Sequence, residues 1–394
     1  MKLFDGIPVY GDLQPEALDQ MKRCAEHDDV VGCALMADHH LGYAVPVGGV
    51  IAYGEHVSPS GVGYDIACGN KAVRLDMPAV EVRESIGAIM DAVWSALSFG
   101  VGRKNADAPD DPLFEDDAWR LDSAAPLLET ARAQLGTIGS GNHYVDLFAD
   151  EQDRTWVGVH FGSRGLGHKL ATHYIKAGGG RDGIHVDPVL LHQDSDLGRE
   201  YIAAMTLAGA YAYAGRDWVC QRVADLLGAP ILDEVHNHHN FAWRESHGGR
   251  DVWVVRKGAT PAFPGQRGFV GGSMGDISVI LEGVDSADAA PTFASTVHGA
   301  GRVMSRTAAA GKYKGWGEKR HQVSRGAVSE GMMAEWLFRE GVTLRGAGLD
   351  ESPHCYRRLP DVLAAHADSV RILHTLTPIG VAMAGAGEFD PYKD

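Results

Sequence analysis

The sequence predicts an α+β fold: one large domain, residues 1–394, of mixed β-sheets with flanking helices. Three observations predict it. Segments with strand alternation sit among helical periodicities, they do not follow a regular βαβ order, and fifty glycines gather in short blocks between them. A chain of 394 residues could form one big or two ordinary domains, and no linker marks a division. No period of 20–50 residues recurs, which excludes a solenoid.

The elements follow in chain order. Residues 71–75 read as a strand. Ile86, Ile89, Met90, Val93, Trp94 and Leu97 recur at helical spacing, so 80–98 is expected to be an amphipathic helix ended by Gly100. The acidic, Pro-containing stretch 103–118 reads as an exposed loop. Strands are expected at 143–148 and 156–161, a long helix at 196–227 closed by Gly228 and Pro230, and a strand at 252–256. Glycine gathers where backbone takes positive φ or approaches a ligand closely, so the blocks GYAVPVGGV, GVGYDIACG, GTIGSGN, HFGSRGLGH, GFVGGSMGD and HGAGR point to loops converging on one site.

Composition excludes several classes. The net charge of −16 argues against indiscriminate binding to nucleic acid or anionic membranes, because phosphate affinity comes from neutralising charge. Any such contact is local. Residues 302–325 reverse the balance, with Arg302, Arg306, Lys312, Lys314, Lys319, Arg320 and Arg325 against Glu318 alone; a solvated basic face is the plain alternative. Five cysteines without regular spacing do not suggest a disulfide framework. The apolar runs fall short of the roughly 18–20 residues that span a bilayer, and MKLFDGIPVYGDL lacks the apolar core of a signal peptide. The expectation is a cytoplasmic protein with no membrane partner.

Metal-ligand residue types recur in the glycine blocks. Asp65 and Cys68 lie three apart in GVGYDIACG, His143 follows Asn142, WVGVHFGSRGLGH carries His160 and His168, and ILDEVHNHHNFAW carries His236, His238 and His239. A lone cysteine is usually a small buried hydrophobe; three histidine-bearing blocks beside it favour a metal. Thiolate and imidazole suit zinc, the metal these residues by themselves favour, while an added carboxylate and a nucleotide phosphate suit manganese or magnesium. GGSMGD (271–276) and HGAGR (298–302) offer unhindered backbone N–H groups that suit an anion. His298 reads either as a core histidine beside a turn or as an acid/base, ligand or nucleophile at that anion.

In order, MADHHLGYAVPVGGVIAY, VGYDIACG, GTIGSGNHYVDL, VHFGSRGLGH, HNFAWRE, RKGAT, GSMGD, HGAGRVMSR and DESPHCYR resemble the signature blocks of the RtcB family of GTP-dependent RNA ligases, over roughly residues 36–383. The resemblance implies an enzyme that joins an RNA 3′-phosphate, or a 2′,3′-cyclic phosphate after hydrolysis, to a 5′-hydroxyl in tRNA splicing or in repair of tRNA or rRNA fragments. GTP and two Mn²⁺ ions would be the cofactors, and an activating protein partner stays open. It implies that His298 is the guanylylated nucleophile and that Arg302 lies near the transferring phosphates. It also implies that Cys68 bridges two ions, one completed by Asp65 and His143, the other by His160 and His239. Among the three neighbouring histidines, His239-Asn240-Phe241 with Glu245 fits the family pattern; His236 and His239 also have opposite strand parity and could not both point inward.

For GTP the resemblance assigns Asn142, Tyr144, Asp146, Asn240, Gly271, Gly272, Ser273, Met274, Ser278, Gly299, Ala300 and Gly301, with Tyr356 as a stacking partner and Met383 beside the base. Asp146 would accept from guanine N1–H and the exocyclic amine, which adenine cannot offer. Three positions depart from the family: Asp146 replaces a usual Glu, Met383 stands where a guanine-contacting Lys is common and Lys393 lies ten residues beyond it, and Asp276 replaces a common Thr. A dinuclear metal phosphoesterase without guanylylation, and a paralogue that binds RNA ends without ligating, are the alternatives.

Overall fold

The computed structural model describes residues 1–314 and 321–387, leaving Glu318, Lys319, Arg320 and Lys393 outside the described residues. The architecture is α+β, with two main sheets. One sheet runs in the order Lys2–Phe4, Ile7–Val9, Val30–His40, Val47–Tyr53, Arg250–Lys257, Asn240–His247. The other runs Ile231–His238, Gly69–Pro78, Arg154–Phe161, Tyr144–Ala149, Val370–Gly385, Ser278–Gly283, Arg267–Val270, with Thr343–Ala347 added in parallel to Val370–Gly385. The edges of this second sheet approach each other, because Asn237 Oδ1 accepts from Phe269 N at 3.0 Å and Arg267 grips Asp233 through both guanidinium nitrogens at 3.0 and 2.8 Å.

The sheets meet through apolar faces. Val50, Ala52, Val252 and Val254 of the first pack with Val270, Val279 and Leu281 of the second, and alternation along each strand sends the intervening residues the other way. The helix Asp196–Leu227 serves two cores: Leu207, Ala208 and Tyr211 pack in one, and Val219, Cys220 and Val223 in the other. Ser195 Oγ caps its start by accepting from Gly198 N at 3.0 Å, and Gly228, at φ 65°, closes its end in the left-handed region.

Strands are present at all four expected places, in Gly69–Pro78, Tyr144–Ala149, Arg154–Phe161 and Arg250–Lys257, with His143 left just before the second of them. Two expectations need correction. The helix expected at 80–98 is two helices, Ala79–Glu84 and Ile86–Ala96, broken at Ser85. It also stops before Gly100, because residues 98–100 pair with 138–139 through Ile138 N to Ser98 O (2.9 Å) and Gly100 N to Gly139 O (2.6 Å). The 103–118 stretch is not simply exposed. Asp111 and Asp116 cap 3₁₀ turns at Pro112–Glu115 and Asp117–Arg120, which bury Phe114 and Trp119. All five cysteines are buried and free. Among the described residues, no helix is long and apolar enough to cross a membrane.

Candidate active site

A cavity of about 290 Å³ opens where strand ends of both sheets converge with the glycine loops. One wall carries the metal-ligand residue types. Strand pairing of Gly69 with both Phe161 and His238 brings the Cys68 turn beside the His160 and His239 segments. Cys68 Sγ lies 3.8 Å from His143 Nε2 and 3.6 Å from His160 Nε2, and Asp65 Oδ2 lies 3.1 Å from His143 Nε2. The His239 ring stacks on His160 with centroids 5.1 Å apart. The sulfur and ring nitrogens of Cys68, His143 and His160 all fall within 4.8 Å of one another.

The outward ends of these rings are fixed. His143 Nδ1 faces Ile138 O at 2.9 Å and His160 Nδ1 faces Asn70 Oδ1 at 2.7 Å, so each presents Nε2 toward Cys68, the arrangement that orients imidazole ligands. Burial pushes the pKa values of His160 and His239 down, keeping both rings neutral and able to donate a lone pair. Burial pushes the Cys68 thiol up, and neighbouring Asp65 adds to this. Asp65 itself stays below the usual carboxylate range, because its contacts with His143 outweigh its burial. His239 Nδ1 is buried with no hydrogen-bond partner among the described residues. An orphaned nitrogen beside a thiol, two further imidazoles and a carboxylate fits a bound cation.

His298 faces this wall, its ring centroid 4.9 Å from that of His239. Its Nδ1 lies 2.6 Å from Asp38 Oδ2, and that oxygen also accepts from the backbone N–H groups of His298 (3.1 Å) and Gly299 (3.3 Å). Burial alone would raise the Asp38 pKa, but the His298 imidazole and N–H hold it below the usual range. The two glycine loops lie side by side through a Gly271–Gly299 bridge. Gly301, at φ 74°, passes so close to the backbone of Asp38 that an added Cβ would sit 2.6 Å from its carbonyl oxygen.

A family model described as tRNA-splicing ligase RtcB matches residues 20–116 and 118–384. The chain belongs to the RtcB family. It is 29% identical to the RNA-splicing ligase RtcB of Escherichia coli K12, covering 95% of this chain and 94% of that one. It is 30% identical to the tRNA-splicing ligase RtcB of Thermococcus kodakarensis (88% and 86%) and to the RNA-splicing ligase RtcB of Mycobacterium tuberculosis (88% and 95%). The chain is accordingly an enzyme of the RNA-ligase class.

The remaining residues singled out in the RtcB-like motifs divide by position. Asn142, Tyr144, Asp146, Asn240, Gly271, Gly272, Ser273, Met274, Gly299, Ala300, Gly301, Tyr356 and Met383 line the cavity. Ser278 does not; its hydroxyl accepts from Gly272 N at 3.0 Å and shapes the loop from behind. The Asn240 amide is taken up by Gly258 N (2.7 Å) and Asp65 O (3.3 Å). Asp146 is buried with Oδ1 unpartnered among the described residues, and burial raises its pKa well above the carboxylate range. Met383 pairs in register with Tyr144 and packs against Met274, Leu337 and Val381. Asp276 brings no free charge to the loop, since Arg358 grips both its oxygens at 2.9 Å.

Arg302 lines the cavity, tethered to Tyr356 Oη (2.8 Å) and Asp350 O (2.9 Å). Its guanidinium covers the Tyr356 ring at 4.9 Å, occupying one face of the expected stacking partner. Arg306 is held by Asp350 (2.9 Å) and Glu351, so two cations of the 302–325 segment are already paired. The parity argument for His239 is corrected: the strand ends at His238, and His239 lies in the bend beyond it. His236 and His238, which do share a face, both contact Arg216 instead. His168 stacks on Tyr64, away from the cavity lining.

Sequence reasoning passed over Asp38, Asn70 and Lys257. Asp38 and Lys257 lie inside quoted blocks and Asn70 directly follows one, yet the partner of each is remote in sequence. Lys257 lines the cavity as a buried cation bonded to Tyr43 O at 2.6 Å, and burial lowers its pKa to about 8.

Proposed function

We propose that the chain is a GTP- and manganese-dependent RNA ligase that joins a 3′-phosphate or 2′,3′-cyclic phosphate end to a 5′-hydroxyl through a His298–GMP intermediate. One observation carries this reading: His298 Nδ1 faces the buried Asp38 carboxylate at 2.6 Å, leaving Nε2 as its nucleophilic nitrogen beside the paired glycine loops. A carboxylate that holds one ring nitrogen fixes the tautomer and balances the positive charge that develops during attack.

In the first step the Nε2 lone pair attacks the α-phosphorus of GTP, a P–N bond forms, and the P–O bond to pyrophosphate breaks. An RNA 3′-phosphate oxygen, generated by water where the end is a cyclic phosphate, then attacks the same phosphorus, a P–O bond forms and the P–N bond to His298 breaks. The 5′-hydroxyl oxygen finally attacks the RNA 3′-phosphorus and GMP leaves. Asp65, Cys68, His143, His160 and His239 would hold two manganese ions, which when bound supply charge withdrawal from the phosphates. The backbone of 271–274 and 299–301 receives phosphate oxygens, with Arg302 beside them. Asp146, whose Oδ1 is buried without a partner among the described residues, is suited to accept from guanine N1–H and amine, donors that would favour its ionised form.

The test is incubation with α-labelled GTP and Mn²⁺, followed by denaturing gel analysis of wild type and His298→Ala. An acid-labile, base-stable adduct present only in wild type is expected. Absence of any wild-type adduct across a range of divalent metals would sink the reading.

A further inference from the structure

We infer that Arg216 is the positioning residue of the metal centre, a single buried guanidinium that sets the relative placement of Cys68, His160 and His239. The inference rests on the reading of those three as ligands. Arg216 projects from the long helix Asp196–Leu227 and is 0% exposed. Its Nη1 donates to Ala67 O (3.1 Å) and Phe161 O (2.6 Å), its Nη2 meets His238 Nδ1 (2.9 Å), and its Nε donates to His236 Nε2 (2.8 Å). Ala67, Phe161 and His238 are the immediate chain neighbours of Cys68, His160 and His239. One rigid fork therefore ties together three segments that arrive from different parts of the chain.

The local backbone shows why such a tie is needed. Ala67 has φ 61°, a left-handed conformation that costs energy for a residue with a Cβ and persists only where surroundings hold it. Its carbonyl is held by Arg216 and its N–H by Asn240 O at 2.7 Å. His239 N and Asn240 N both reach Cys68 O, at 2.9 and 3.3 Å. Gly69 completes the packing: an added Cβ would lie 2.3 Å from Asn237 O and 3.1 Å from Arg216 Nη1, so the strand can close over the guanidinium only at glycine.

Arg216 makes no ion pair within 4.0 Å among the described residues, its four bonds going to carbonyls and neutral imidazoles. A buried cation without a paired anion is costly, so Arg216 is stable there only while all four acceptors keep their places around it.

Cobalt(II) alone is the probe. It is titrated into metal-free wild type, Arg216→Lys and Cys68→Ser, following the thiolate-to-cobalt charge-transfer band, with thermal melts of the same metal-free samples. Lysine keeps the charge but cannot span four acceptors, so Arg216→Lys is expected to bind cobalt about 10- to 100-fold more weakly, with an altered band. Wild-type affinity and band in folded Arg216→Lys would overturn the inference, however far the melting temperature falls. If Arg216→Lys does not fold, His236→Ala removes one acceptor on the side away from the ligands; a few-fold loss is expected, and unchanged binding overturns the inference. A different result, no charge-transfer band in wild type that Cys68→Ser removes, would overturn the ligand reading itself.

Discussion

The two walls of the cavity are built on different principles. On the metal wall, His160 is anchored through Nδ1 by Asn70 Oδ1 and delivered beside Cys68 by strand register, while His143, one residue before its strand and behind the cavity lining, is anchored through Nδ1 by Ile138 O. On the wall proposed to take the nucleotide, the surface is loop backbone of 271–274 and 299–301, and Tyr144 Oη and Asp146 Oδ1 are buried without partners among the described residues. The anchored rings are preorganised, whereas the orphaned polar groups, His239 Nδ1 on the metal wall and Tyr144 Oη and Asp146 Oδ1 on the other, are completed by what binds there. His298 stands between them, held by Asp38 from the strand Val30–His40 but carried on a loop.

The largest expected effect tests that junction. His298→Ala should lower adduct formation by at least about 10³-fold, to background in the gel assay, while leaving cobalt binding at the metal wall unchanged. Loss of metal binding in the same variant would show that the walls are not separable. Asp38→Asn sharpens the point. An amide still fills the space but cannot hold the Nδ1 proton as a carboxylate does, so guanylylation should fall by about 10²- to 10⁴-fold with little change in the KM for GTP. A matching rise in KM would mean that Asp38 acts on nucleotide binding rather than on the imidazole.

Asp146→Asn probes the unfinished wall. If the buried carboxyl reads guanine, GTP-over-ATP discrimination in adduct formation should drop by about tenfold, the scale of one buried hydrogen-bonding group, with the His298 chemistry intact for either nucleotide. Unchanged discrimination would remove Asp146 from the base pocket.

The same contrast explains what was legible in the sequence. The strands carrying Asp146 and His160 and the helix 196–227 could be read because alternation and helical spacing are local properties. Cys68, His143, His160 and His239 were legible as ordered blocks whose residue types suit one ion. Asp38 was not, because its contact with His298 spans 260 residues and no periodicity reports it. Arg216 was hidden by the helix that buries it: an arginine in an amphipathic stretch reads as a solvated position until the strands close over it. His239 shows how a local rule fails at a boundary, since strand parity ended one residue before it.

The smallest expected effect concerns how the strand that carries Asp38 is held. His366 is fully buried, stacks on Tyr10 at 3.9 Å, and accepts through Nε2 from Ala37 N at 3.2 Å, one residue before Asp38. Accepting requires the neutral ring, and burial lowers its pKa to about 4 against an ordinary value of 6.5. A histidine whose folded pKa is depressed contributes stability that is fully present above 6.5 and is lost as pH falls toward and through 4, because the unfolded chain binds the proton first. The shift corresponds to roughly 3 kcal/mol by pH 4. His40, lowered to about 4 by burial, and His236, lowered to about 3, act in the same direction, so a variant lacking the His366 imidazole retains part of the acid lability. His366→Gln keeps an acceptor for Ala37 N but cannot titrate. Metal-free melts at pH 7, 5.5 and 4.5 should show a shallower loss of Tm in this variant than in wild type. Identical slopes would mean that the strand bearing Asp38 is secured without the neutral imidazole.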